Sequence, residues 1–529
     1  MRSRILAPLA LAATAALTLT ACAGGAAPAG SGEPAVDGTF TMALNADPGN
    51  LNPLLTAGSP THQLAQLSYD FLVYVDPATS EVSPWLAESW EETPTSATFT
   101  LRDGIVCSDG TPLTAQTVAD NITFVTTEDN KSALRGVYVP ATASAVADGN
   151  TVTVSTPAAS PFLLLNLSRL PILCDAALTD PDSATTGTVG SGMYELTASV
   201  ANDSYSYTRR DDYAWGPNGA TAKTEGTPKT VEVKIITNES TAANQLLSGE
   251  INAAVITGAD QERLDASGFA AAESRAIAGE MYFNHGADRP TSDVAVRTAL
   301  VQAVNLQDLA AVITGGRGVP STSLVSTDPR ACVDDTVTGN LPAFDPKAAA
   351  KTLEGAGWTK GADGIYAKDG QPLSLNFFYD SMGDTYDAAA DVALQAWTEL
   401  GADVEVTSGD SNKTVEVLLS GTDNSGWDIA WEPIYVNLPS MLVPFFSGPA
   451  PAEGLNFLQV SNPEYDAAVA AATELVGAEA CAAWADAERA LFAQTSVVPF
   501  ADSIKKTYFN GAELEFGTRI SGPALRVTK

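Results

Sequence analysis

The chain has 529 residues, with 63 Asp and Glu against 28 Lys and Arg and a net charge of −35. That excess of negative charge excludes nucleic acid and anionic lipid surfaces as partners held by electrostatic attraction. It is spread along the chain and not gathered into a tail, which favours solubility outside the cell and, more pointedly, attraction of cationic solutes.

The first residues set the compartment. Arg2 and Arg4 precede an apolar, Ala- and Leu-rich run over residues 5–18, and small residues then lead to Cys22. The run is too short to span a bilayer and reads as a signal peptide over residues 1–21. Its end, Leu19-Thr20-Ala21-Cys22, resembles the lipobox of bacterial lipoproteins. The resemblance implies a lipid on Cys22, a membrane partner reached through that anchor, and a location on the outer face of the cell membrane. Residues 22–37 are small, polar and Pro/Gly-bearing, and are expected to form a flexible tether. The remainder is too long for one core, so two or three domains are expected.

Further on, residues 39–45 read as a strand. Residues 231–236, a helix around 241–247 and residues 253–256 read as a βαβ unit, expected to be parallel and right-handed. From Val294, the positions Val296, Leu300, Val301 and Val304 recur at helical spacing. Asp345-Pro346 offers an N-cap and a proline at the first helical position, with Gly355 as the stop. Residues 373–379 and 404–406 read as strands around a helix over 384–400. Asn462-Pro463-Glu464 opens a further helix, expected to stop at Gly477. The pattern is α/β in at least two lobes.

Little here points to catalysis. The two histidines, His62 and His285, stand alone, and no H-E-x-x-H or C-x-x-C spacing occurs, so no metal or other cofactor is expected. Nucleophile-elbow, phosphate-loop and dinucleotide-binding patterns are missing too. One S-x-x-K occurs, Ser503-Ile504-Lys505-Lys506, the pattern of a penicillin-recognising acyl-enzyme; its companion K-T-G is absent. Besides Cys22 there are four cysteines, Cys107, Cys174, Cys332 and Cys481, an even set that in an exported chain suggests two disulfides with three possible pairings.

Eight strings in collinear order carry a family resemblance. Asn45-Ala46-Asp47-Pro48-Gly49-Asn50-Leu51-Asn52-Pro53 looks like an opening x-D-P-x-x-L-D-P loop. Tyr69-Asp70-Phe71-Leu72-Val73-Tyr74 and Pro84-Trp85-Leu86-Ala87-Glu88-Ser89-Trp90 follow, then Phe99-Thr100-Leu101-Arg102-Asp103-Gly104 and Ser108-Asp109-Gly110-Thr111-Pro112. Gly190-Ser191-Gly192-Met193-Tyr194, Leu247-Ser248-Gly249-Glu250-Ile251-Asn252 and the run from Phe283-Asn284 to Asp293-Val294-Ala295-Val296-Arg297 complete the set. Together they resemble the family 5 solute-binding proteins of ABC importers, which include oligopeptide, dipeptide and nickel receptors. Trp85, Leu86 and Trp90 are themselves expected to be packing residues.

The resemblance implies an α/β fold of the periplasmic-binding-protein type II-like kind, two lobes with three domains (the cluster C type). Domain I would comprise residues 38–72, 186–285 and 500–529, domain II residues 73–185, and domain III residues 286–499. That split implies the pairs Cys107–Cys174 and Cys332–Cys481. The implied function is capture of a solute, foremost a peptide, and its delivery to ABC permease and ATPase subunits, without catalysis; a solute sensor or chaperone-like protein with the same cleft is the alternative. In peptide receptors of the family an Asp soon after a Trp binds the α-ammonium. The matching stretch runs from Trp427 to Tyr435 with no Asp at that place, and Glu432 is the expected substitute beside Trp431. Asp47, Tyr282 and Tyr435 complete the expected ligand-binding set.

Overall fold

The computed structural model describes residues 32–420 and 426–529. The signal peptide, Cys22 and the first part of the expected tether lie outside them. The end of that tether is tied down: Ala35 N–H donates to the Val527 carbonyl and Lys529 N–H to the Glu33 carbonyl, both at 2.8 Å, so the packed body starts before residue 38.

The chain opens with β1 (Thr39–Leu44) and α1 (Ser59–Ser68). A four-stranded antiparallel sheet follows, made of β2 (Ala87–Thr93), β3 (Ser96–Leu101), β4 (Ser144–Asp148) and β5 (Thr151–Ser155), with α2 (Ala115–Thr126) lying over it. Residues in β3 and β5 alternate buried and half-buried, as a sheet with one covered face requires. The hairpin β6 (Tyr194–Val200) and β7 (Ser204–Arg209) leads to β8 (Thr230–Ile235), α3 (Glu239–Ser248), β9 (Ala253–Ile256) and the long β10 (Ala270–Phe283). The second half holds α4 (Val294–Gln302), α5 (Pro346–Gly355), β11 (Ser374–Asp380), α6 (Asp384–Leu400), β12 (Asp403–Gly409), β13 (Ile429–Trp431), α7 (Pro463–Thr473), α8 (Gly477–Ala493) and the long β14 (Val497–Phe509).

One mixed sheet of ten strands unites the two halves, in the order β12-β11-β13-β10-β14-β9-β1-β8-β7-β6. β10 and β14 pair antiparallel from Ala270↔Phe509 to Tyr282↔Val497, so both run from one lobe into the other. The pairing slips on either side of Gly279, where a Cβ would meet the Phe500 ring at 2.3 Å; only glycine lets the strands approach there. One apolar cluster fills the first lobe and spans both the ten-stranded and four-stranded sheets. Two others fill the second lobe on either side of its strands.

Several sequence expectations meet corrections of detail. β8 and β9 are parallel but not neighbours: both pair with β1, which lies between them. The helix opened by Asn462 stops at Thr473, and Gly477, at φ +62°, starts α8 instead. The Asp345 cap is as expected, its side chain accepting from the Lys347 and Ala348 N–H groups at 3.0 Å.

The family-like strings serve packing. Asp70 is buried, and its carboxylate accepts from Trp85 Nε1, Tyr213 OH, Trp215 Nε1 and Ser191 Oγ at 2.8–3.1 Å. Arg297, also buried, donates to the Thr291, Ser292 and Gln494 carbonyls and so ties α4 to the residue after α8.

The structure joins Cys107 to Cys174 and Cys332 to Cys481, across 67 and 149 residues of chain. Loops of that length give chain-entropy contributions of about 4 and about 5 kcal/mol as upper values. Replacing either pair by alanines should lower the denaturant midpoint, the second pair more, and thiol reductant should leave the double replacement unaffected. Urea titrations with and without reductant measure this.

Candidate functional site

Sheet register assembles the site. β11 and β13 run parallel with Tyr379 opposite Trp431, while β13 and β10 run antiparallel with Met281 opposite the same Trp431. One step along, Asp380, Glu432 and Glu280 therefore stand in a row across three adjacent strands. Strands lie roughly 5 Å apart, so three carboxylates on one row are crowded.

Each is desolvated. Glu280 is fully buried, and its Oε2 accepts from Tyr282 OH at 2.5 Å and from Ile434 N–H at 2.8 Å, while Oε1 has no partner. Burial pushes its carboxyl up to about 8, with the Asp502 and Glu432 charges adding to the shift. Glu432 rises to about 7, through burial first and then through the neighbouring Asp380 carboxylate; its Oε2 has no hydrogen-bond partner. Burial likewise raises Asp380, which accepts weakly from Ser411 Oγ at 3.4 Å. Asp502 on β14 rises to about 6 from burial, although Ser321 Oγ donates to it at 2.6 Å. Among the described residues no ion pair includes any of the three in the row, and no group of His, Cys, Asp and Glu is placed to hold a metal.

The expected site residues divide. Glu432 and Tyr435 are at the row, Tyr435 being 54% exposed and near enough for the Glu432, Glu280 and Asp380 charges to act on it. Tyr282 reaches the row only through its hydroxyl on Glu280; its ring is buried against Phe457 and Phe446. Trp431 lies on the other face of the strand. Alternation along β13 turns its indole into the core, where Phe377 and Phe500 lie 5.0 and 5.1 Å away between ring centres, so it does not face a ligand. Asp47 stands apart from the row: its carboxylate accepts from Asn202 N–H, Gly49 N–H and Tyr205 OH, fastening the loop after β1 to the β6–β7 hairpin. Asp428 is spent on Asn376 N–H and Arg289.

The S-x-x-K string lies on β14. Ser503 Oγ donates to the Ala276 carbonyl at 3.1 Å, and Lys506 pairs with Asp265 and Glu273. Residues three apart on a strand face opposite ways, so this Lys does not serve this Ser as a base.

Glu280 and Asp380 escaped the sequence reading. The signal was present: a lone Glu in the apolar run Ile277-Ala278-Gly279-Glu280-Met281-Tyr282-Phe283, and an Asp ending Phe377-Phe378-Tyr379-Asp380. Charged residues inside buried strands are rare enough to mark a site.

Two lobes bridged by paired strands, with unsatisfied polar groups near the bridge, define a solute-binding class of protein. The chain belongs to the bacterial extracellular solute-binding proteins, family 5; the family model, described as "Bacterial extracellular solute-binding proteins, family 5 Middle", matches residues 81–452. Protein XP55 of Streptomyces lividans is 28% identical over 65% of this chain, and the chain spans only 61% of that relative's length. The nickel-binding periplasmic protein of Escherichia coli is 28% identical over 69% of this chain and 70% of its own. A substrate-binding protein from Microbacterium hydrocarbonoxydans, solved with 4-hydroxybenzoate hydrazide, is 26% identical with a TM-score of 0.62, covering 93% of this chain and all of that one. No helix among the described residues is long and apolar enough to cross a membrane.

Raised carboxyls make stability fall with pH. An unfolded Glu ionises near about 4.3, whereas folded Glu280 and Glu432 hold their protons to about 8 and about 7, so between those limits the unfolded chain binds fewer protons. The stability these groups contribute is whole below the lower limit and is lost as pH rises through the folded values. Denaturant midpoints should therefore drop between about pH 5 and pH 8, and Glu280→Gln should flatten that drop. An equal slope in the variant would contradict the assignment.

Proposed function

We propose that the chain is the extracellular solute receptor of an ABC importer, which closes its two lobes on a solute and passes it to permease and ATPase subunits. The observation that carries this reading is the desolvated row Asp380–Glu432–Glu280, which has spare acceptor oxygens and no cation. A ligand ammonium would supply the missing charge and donors at once. The α-ammonium of a peptide has that chemistry, with Tyr435 exposed beside the row to pack on the chain that follows. The hydrazide bound by the Microbacterium protein also presents N–H donors. Nickel is less well suited to this chain, whose two histidines lie elsewhere, His62 on α1 and His285 beyond the end of β10. The receptor would be held at the outer face of the membrane by a lipid on Cys22.

Mass spectrometry of the solute released on denaturing the purified protein tests the reading directly, and an amine-bearing solute is the expected result. Free dipeptides should bind more tightly than their N-acetylated forms. Glu432→Gln keeps shape and some hydrogen bonding, and should lower affinity for the free forms by ~2 kcal/mol, roughly thirtyfold. Equal affinity for free and acetylated forms would remove the ammonium assignment.

The anchor has its own test. Cys22→Ser should release the protein into the medium or leave it unprocessed, and should abolish incorporation of labelled palmitate; persistent labelling would contradict it.

A further inference from the structure

Two arginines of this acidic chain share one cavity wall. Arg169 and Arg519 both line a cavity of about 130 Å³ whose wall also includes Pro329. Neither forms an ion pair within 4.0 Å among the described residues, although thirteen such pairs occur elsewhere. Arg519 Nη2 donates to the Asp328 backbone carbonyl at 3.2 Å. The Arg169 guanidinium lies over the Tyr138 ring, 4.4 Å from its centre, with one N–H at 3.4 Å from the Tyr138 hydroxyl. Stacking occupies the face of a guanidinium and leaves donors at its edge for a planar anion.

The two guanidiniums act on each other. Arg519 is exposed; the protein around it and the like charge of Arg169 lower its basicity, while Tyr138 and Asp328 act the other way. The same two cations, after burial, hold His62 below its usual value, and its Nε2 lies 2.9 Å from the Thr56 carbonyl. His62 thus stays neutral and adds no charge. The rest of the wall is mixed, with Phe71, Tyr74 and Phe516 beside Gln66, Ser168 and Thr518. Two like charges held at one cavity wall repel each other, and an anion between them relieves that repulsion.

We propose that this cavity is an anion subsite: it takes a carboxylate carried on an apolar group of about ring size, with the carboxylate between Arg169 and Arg519 and the apolar body against Tyr138 and Phe516. The size is suitable, since a cavity on the order of 150 Å³ holds a benzene ring. The inference rests on the solute-receptor reading and adds an anionic end to the ligand. Two hydrogen bonds and then two charge interactions lead from this subsite to the carboxylate row. Arg519 touches Asp328, Arg330 Nε donates to Asp328 at 3.1 Å, the Arg330 charge acts on Asp502, and Asp502 acts on Glu280. The carboxylate can come from a free aromatic acid or from the C-terminus of a peptide ending in an aromatic residue.

Calorimetry on the whole processed protein separates these sources. The probes are benzoate against benzamide, and alanyl-phenylalanine against its C-terminal amide and its N-acetyl form. Benzoate should bind at least about tenfold more tightly than benzamide, because only the carboxylate makes charge-assisted bonds to the arginines. Arg169→Gln and Arg519→Gln should each weaken benzoate about tenfold and leave benzamide unchanged. A dipeptide preferred over its amide supports the subsite with a peptide C-terminus as the source. Benzoate discrimination without dipeptide discrimination supports it with a free acid as the source. Equal binding of benzoate and benzamide overturns the proposal, as does no binding of benzoate at ~10 mM; both readouts use the unaltered protein and do not depend on the variants folding. If the free dipeptide still outbinds its N-acetyl form while carboxylate discrimination is absent, the subsite falls and the receptor reading stands. The reverse pattern keeps the subsite and removes the ammonium assignment.

Discussion

The pairing of β10 with β14 is the constraint on which the rest depends. These two strands lie side by side through both lobes and join what would otherwise be two sheets into one of ten strands. The pairing slips at Gly279, where the Phe500 ring occupies the space a side chain would need, so the bend is fixed by packing and not left to loose chain. Glu280 follows Gly279 directly, and Asp502 is two residues beyond Phe500. The ladder that links the lobes therefore also fixes where the buried carboxylates stand.

The site's chemistry follows from that placement. A carboxyl in a central strand cannot move to water, and its neighbours across the sheet are set by register. Once β11, β13 and β10 are aligned, Asp380, Glu432 and Glu280 must share a row, and desolvation then keeps protons on groups that would be ionised at a surface. Buried Asp70 shows the contrast. Four donors converge on it and leave it satisfied, so it is a packing device, whereas Glu280 has an oxygen to spare. Counting partners separates a satisfied buried carboxylate from one that is not.

How much of this was legible depended on range. The helix over Asp384–Leu400 and the Asp345 cap were readable because local spacing and capping determine them. Gly477 was misplaced because a glycine with positive φ can end one helix or precede the next, and sequence does not say which. The neighbours of β8 were not readable, since β1 inserts between β8 and β9 from nearly two hundred positions earlier. Glu432 was reached through resemblance, but Trp431 beside it turned to the core because a strand sends adjacent side chains to opposite faces. Glu280 and Asp380 join Glu432 only through register, which no local pattern encodes.

The position of β14 bears on how the chain reaches this state. Residues 497–509 lie more than two hundred positions after β10 begins, yet they form a strand near the middle of the ten-stranded sheet, hydrogen-bonded on one side to β10 and on the other to β9. The last strand, through Val527, closes over residues 33–35 at the other end of the chain. Neither lobe can complete its core without residues far apart in sequence, and contacts so distant form slowly. A chain built this way stays open and threadable while it is being synthesised, which suits a protein that must pass through a membrane before it folds.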